Sequence, residues 1–276
     1  MGSKASKAKR PTPVATKAVT IPRIPQEIID EILDHLATHS DLRSLRACAL
    51  VSRSWVQSCR RHIFHTILFA PKSKARWLET FPVPEESPAH LVRDLRFTIG
   101  GDNNSAPERF SDYTRRFTNV ERITFLAHGC LHPLWTPSFG RLPQSVTSLT
   151  IDTDAFDLFQ IRDVMVQLPN LNDLSLSGFP VMVAGCALQG IGAVLRGRFG
   201  GQLRLFRGHV SVGIADVLLG IPTGLHFTEI QIYSTHECLL SVVRLVEACS
   251  KTLVKLSYTI SLHCKSHPFF LQLVQY

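Results

Sequence analysis

The feature that most constrains the fold is an apolar triplet at i, i+3 and i+5 that returns throughout the chain after His90. It stands at Val92-Leu95-Phe97, Val120-Ile123-Phe125, Val146-Leu149-Ile151, Leu171-Leu174-Leu176, Phe227-Ile230-Ile232 and Leu253-Leu256-Tyr258, with a degenerate copy at Leu203-Leu205. Successive copies lie roughly 25 to 29 residues apart, room for one strand and one helix per unit. FTNVERITF and LPNLNDLSL align with each other within this pattern. Between copies lie helix-like stretches, AFDLFQIRDVMVQL with Phe156, Phe159, Ile161, Val164 and Leu168, and HECLLSVVRLVEAC with Leu239, Leu240, Val243 and Val246. Strand then helix, repeated, predicts an α/β fold over residues 91–276, a short solenoid with a parallel sheet on its inner side. A chain with 45% hydrophobic and 19% charged residues can fill such a core.

Alternate side chains of each strand face away from that core. The open set is Arg96, Thr98, Thr124, Thr150, Asp152, Ser175, Ser177, Arg204, Gln231, Tyr233 and Ser257. Arg96, Thr150, Asp152, Arg204, Gln231 and Tyr233 are the candidate target contacts, with Tyr233 and Arg204 as anchors, because Tyr and Arg concentrate interface energy. Any single one could equally belong to a solvated sheet face. By its period and its strand and helix alternation this region resembles the leucine-rich-repeat family. It departs from that family in lacking the ladder asparagine three residues past the strand, and it ends on FFLQLVQY without a polar cap.

Residues 21–69 read differently, as two or three short helices too small to bury a core of their own. Pro25 suits a first helical turn, Gln26 and Glu27 sit at its positive end, and Ile28, Ile29, Ile32, Leu33 and Leu36 recur at helical spacing. Ser40 or Asp41 can cap a second helix carrying Leu42, Leu45, Cys48 and Ala49, and Ser52 a third with Trp55, Val56 and Cys59. RRHIFHTILF closes the segment, more apolar than a surface helix needs.

This stretch resembles the F-box: Ile24-Pro25, then Glu27, Ile28, Ile32, Leu33 and Leu36 on a helix, then Cys48, Val51, Ser52, Arg53 and Trp55. Ile replaces the usual Leu before the proline, and the link between the helices is slightly long. The resemblance implies docking on a Skp-family adaptor and, through it, on a cullin-RING ubiquitin ligase. It places Ile24, Pro25, Ile28, Leu50, Val51 and Trp55 at or directly beneath the adaptor interface. The alternative is a helical hairpin packed on the domain that follows. Residues 70–90, with Pro71, Pro82, Pro84 and Pro88, read as a stiffened linker with room for a single helix around Trp77 and Phe81.

Residues 1–20 read as a disordered basic tail. Lys4, Lys7, Lys9, Arg10 and Lys17 carry five of the net +8 charges, so the pI of about 9.3 is mostly a property of the tail. That supports weak, salt-sensitive contact with polyanions and no sequence-specific nucleic-acid recognition. MGSKAS fits the N-myristoylation pattern with Gly2 as acceptor, similar to the start of Src-family kinases, and the neighbouring lysines would add contact with an anionic membrane. Seven cysteines, odd in number and without a C-x-x-C pair, read as reduced thiols in a cytoplasmic or nuclear protein. On that reading Asn103-Asn104-Ser105 is not a used glycosylation acceptor.

Catalytic patterns fail one by one. Gly190-Ile191-Gly192 starts a dinucleotide-like run, but Leu195 stands where the third glycine belongs. His236-Glu237-Cys238 opens a deaminase half-site without the downstream P-C-x-x-C. His263, Cys264 and His267, or His62 and His65, could hold a metal only with ligands from elsewhere. Asp152, Asp154 and Asp157 read as a strand-end cap. The sequence therefore leads to a non-catalytic substrate receptor of a ubiquitin ligase, with no cofactor and no metal. The rival reading is a binding scaffold outside any ligase, with or without a membrane tether through Gly2.

Overall fold

The computed structural model describes residues 24–69, 77, 79–83, 86–99, 116–130, 144–181, 198–206, 212–234, 239–262 and 269–275. Three helices come first: α1 (Gln26–Thr38), α2 (Leu42–Val51) and α3 (Arg53–Ile63). Pro25 occupies the N-cap of α1, and its carbonyl accepts from Ile29 N–H. Asp41, rather than Ser40, caps α2 by accepting from Ser44 N–H at 3.0 Å, and hydrogen bonding from Ser44, first its side chain and then its N–H, holds the carboxyl below the usual range. Ser52, in extended conformation, ends α2 and caps α3 through Ser54 N–H. Ile29, Leu33, Leu45 and Cys59 are the buried centre of this module, with Leu36, Cys48, Trp55 and Ile63 packed around them. Burial pushes the Cys59 thiol up, away from reactivity.

The sheet holds nine strands in chain order: β1 (Thr66–Phe69), β2 (Asp94–Ile99), β3 (Arg122–Cys130), β4 (Ser148–Asp157), β5 (Asp173–Val181), β6 (Gln202–Phe206), β7 (Glu229–Ser234), β8 (Lys255–Leu262) and β9 (Phe269–Gln275). β1 to β8 are all parallel. Helices α4 (Leu158–Val166), α5 (Val212–Leu219) and α6 (Leu239–Ala248) follow β4, β6 and β7. The second and third residues of the apolar triplets fall in two continuous register rows. One runs Leu95, Ile123, Leu149, Leu174, Leu203, Ile230 and Leu256; the other runs Phe97, Phe125, Ile151, Leu176, Leu205, Ile232 and Tyr258. Together with Ile161, Val164 and Leu168 of the α4 region and Val242 and Leu245 of α6 they form one core. Phe69, Phe97 and Phe125 stack within it, with centroids 5.7 and 5.3 Å apart.

Three features add to the sequence reading. Residues Thr66–Phe69, grouped there with the helical segment, are the first strand of the sheet. The reason is legible afterwards, since Phe64-Ile67-Phe69 is another i, i+3, i+5 triplet, 28 residues (92 − 64) ahead of Val92-Leu95-Phe97. The described part of the proline-rich stretch also packs down: Trp77 meets the rings of Phe81, Phe117, Phe69 and Phe64 at 4.8, 5.9, 6.1 and 6.2 Å, and Ser87, Pro88 and Ala89 are buried. The apolar C-terminal stretch pairs antiparallel on β8, from Leu256↔Gln275 to Leu262↔Phe269, and so covers the backbone edge that a last parallel strand would leave open.

The missing asparagine ladder has a backbone substitute at the start of the strands. The carbonyl of His65 accepts from the N–H groups of Arg93 and Asp94, that of Arg93 from Glu121 and Arg122, and that of Glu121 from Thr147 and Ser148, all at 2.9 to 3.0 Å. The pattern continues at Thr147, Gly201 and Thr228. Asn119 and Asn170 add side-chain donors to the preceding unit, each at 2.8 Å.

β4 and β5 lose register between Asp152 and Ala155, and Gly178 stands beside that irregularity with φ +138°. A Cβ there would lie 2.2 Å from the carbonyl oxygen of Thr153. Gly178→Ala is therefore expected to destabilise the fold by about 1–3 kcal/mol, read as a lower melting temperature. An unchanged melting temperature would mean that the close approach is not maintained in solution.

Candidate functional site

The helical module uses one side of its apolar residues for its own small core and leaves others in solvent. Ile29 and Leu33 point inward, whereas Ile24 and Ile28 remain 55% and 45% exposed. At the corner where Ser52 breaks the chain direction, Leu50 and Val51 stand 89% and 68% exposed. Ile32 and Leu42 add further exposed apolar area. Large aliphatic side chains left in solvent in so small a module are the candidates for a contact surface. Pro25 is exposed at the start of α1. Trp55 differs: it is half-buried and packs against the module's own centre. Asp30 joins α1 to α3 by accepting from Ser58 Oγ at 3.0 Å, and Asp34 Oδ1 lies 3.1 Å from His62 Nε2 of α3.

The open face of the sheet carries the other candidates. Arg96, Thr124, Thr150, Ser175, Arg204, Gln231 and Ser257 occupy one register row across β2 to β8, so the alternation read from the sequence brings them together. Arg96 does not stand alone. Asp94, a buried carboxylate two residues earlier, accepts from its Nε and Nη2 at 3.2 and 2.9 Å, and Arg122 approaches the same carboxylate at 3.8 Å. The hydrogen bond to Asp94 holds the Arg96 guanidinium above its ordinary pKa. Arg204 donates to Gln202 Oε1 at 2.6 Å. A depression of about 450 Å³ runs along these residues, lined by Asp94, Arg96, Arg122, Thr150, Ser175 and Arg204 among others.

A second hollow of about 560 Å³ adjoins it, lined by Thr150, Asp152, Ser175, Ser177, Phe206 and Tyr233. The rings of Phe206 and Tyr233 lie 5.1 Å apart, tilted by 37°. Asp94, Arg122 and Phe206 were missed as open-face residues; each is one alternation step from a residue that was selected, so following the strands two residues further would have found them. Asp157, one of the three neighbouring aspartates, caps α4 by accepting from Phe159 N–H at 2.9 Å.

Gly2, Gly190 to Gly192, His236 to Cys238, and His263, Cys264 and His267 lie outside the described residues. Among the described residues no group of three or more His, Cys, Asp or Glu is placed to hold a metal, and no helix is long and apolar enough to cross a membrane. His65 is held below the usual histidine range, first by burial and then by Arg122.

A helical module with exposed aliphatic residues thus leads directly into a sheet with an open polar face. Residues 21–67 match the family model of the F-box domain, so the chain carries an F-box there. F-box domains bind Skp-family adaptors, and this one supports adaptor docking in a ubiquitin ligase of the Skp-cullin-F-box type. A search of curated proteins returned no match to the chain.

Proposed function

We propose that the chain is the substrate receptor of a Skp-cullin-F-box ubiquitin ligase. Its F-box docks the adaptor through Ile24, Pro25, Ile28, Leu50 and Val51, with Trp55 bracing them from beneath. Its sheet presents Arg96, Thr150, Asp152, Arg204, Gln231 and Tyr233 to a protein target. The observation that carries this reading is the joint between the two parts. Only Phe64 and His65 separate α3 from β1, the His65 carbonyl is bonded to both Arg93 and Asp94, and Phe64 meets Trp77 and Phe81 edge-on. A target held on the sheet is thereby held at a fixed offset from the adaptor.

In this role the chain makes and breaks no covalent bond. It raises the effective concentration of a target lysine near a ubiquitin-loaded enzyme carried by the other subunits, and the stiff joint limits the volume searched. The test is co-purification of the full chain with a Skp-family adaptor, a cullin and its RING subunit. An equimolar four-component complex that disappears with Ile28→Asp is expected. A chain that binds the adaptor and excludes the cullin would instead make it a scaffold outside the ligase.

A further inference from the structure

We propose that the hollow between Asp152 and the Phe206 and Tyr233 rings receives an arginine side chain of the target; this rests on the receptor reading and names the chemistry of its site. Thr150 and Asp152 on β4 pair with Ser175 and Ser177 on β5, and Ser177 pairs with Phe206 on β6, next to Tyr233 on β7, so small serines lie in strand order between the carboxylate and the two rings. A long side chain laid across the serines can therefore reach both the carboxylate and the rings. That combination is complementary to a cation, which is drawn both to the carboxylate and to the ring quadrupole.

The charge pattern of the face points to the same occupant. The neighbouring carboxylates are engaged: Asp94 with Arg96, Asp173 with the Gln202 N–H at 2.7 Å, and Glu229 with Lys255 at 3.7 Å. Among the described residues Asp152 has no ion pair and no basic side chain lines the hollow. The nearest basic residue on β6, Arg204, is turned toward Gln202 and lines the adjoining depression. Among the described residues this half-buried carboxylate, which shares the hollow with two aromatic rings, has no counter-ion, and a partner can bring one. Arginine fits better than lysine: the guanidinium is planar, stacks on an aromatic face, is weakly hydrated, and presents paired donors to a carboxylate, with donors left over for the hydroxyls of Thr150 and Ser175.

The test is selection of a displayed library of random octapeptides on the full chain, run both bound to a Skp-family adaptor and alone. Enriched peptides are expected to share one fixed arginine. By fluorescence anisotropy, replacing that arginine with the neutral isostere citrulline is expected to weaken binding at least tenfold. Asp152→Asn should do the same with an unchanged melting temperature, and on that variant the citrulline replacement should lose most of its effect. Tyr233→Leu should weaken the arginine peptide while the Asp152 dependence persists. A fixed lysine or acidic residue in place of arginine, no enriched peptide, or additive effects of Asp152→Asn and citrulline would each overturn the assignment. A chain that ignores the adaptor would contradict the receptor reading instead, and its peptide preference when alone would still decide the arginine site.

Discussion

Replacing Ile28 and Leu50 together by aspartate is expected to weaken adaptor binding at least a hundredfold while leaving the free chain as stable as before. The two halves of that expectation have separate physical causes. Both side chains are exposed in the chain alone, Leu50 at 89%, so removing them forfeits little folding energy. Substitutions at such positions change stability by about 0.5 kcal/mol or less. In a docked interface, each aliphatic side chain of this size contributes about 1.5–3 kcal/mol on burial, and every 1.4 kcal/mol is roughly tenfold in affinity. The introduced charges must also be desolvated, which adds to the loss. Titration calorimetry against the adaptor, with a melting curve of each free variant, reads both quantities. Trp55→Ala serves as the contrast: it packs on Ile29, Leu33, Leu45 and Cys59, so it should lower stability and affinity together. A double variant that keeps its affinity would remove the exposed aliphatic face from the docking account.

The second large effect lies in the sheet core. Phe97→Ala removes the middle ring of the Phe69, Phe97 and Phe125 stack, at a position that is only 2% exposed. Deleting a buried phenyl ring costs about 3–5 kcal/mol, because the cavity it leaves closes only in part. Against a typical total of about 5–15 kcal/mol, that is a large fraction. Urea unfolding should show a much lower midpoint with an unchanged slope, the mark of lost stability without a change in the surface exposed. A small shift would mean that Trp77 or Phe117, which also contact Phe69, collapse into the space.

Much of this architecture was legible because the physics that sets it is periodic. A strand buried on one face must place apolar residues two apart, and a repeated unit must return them to the same register, so the triplets from Val92 to Tyr258 read directly as β2 to β8. The first strand escaped because Phe64-Ile67-Phe69 follows a helical segment without a break, and an apolar run of that length fits either element until a neighbouring strand selects one. The C-terminal strand escaped for a related reason. FFLQLVQ carries no information about strand direction, and its antiparallel pairing is decided by the free edge of β8 rather than by its own residues. At the F-box, Pro25, Ser52 and Trp55 marked the places where helices start and turn, but exposure separated Leu50 from Leu45 only once the helices were packed. On the sheet, alternation found Asp152 and Tyr233 separately. That they line one hollow with Phe206 depends on the small serines of β5 lying between them, which is a property of strand order.

The measurement that bears most directly on adaptor docking is amide hydrogen exchange of the full chain with and without a Skp-family adaptor. Docking through the exposed face of the F-box requires new protection in α1 and around the Leu50 to Trp55 corner, with exchange in β3 to β7 unchanged, leaving the open face free for a target. Protection centred on the strands, or no protection anywhere at saturating adaptor, would contradict it.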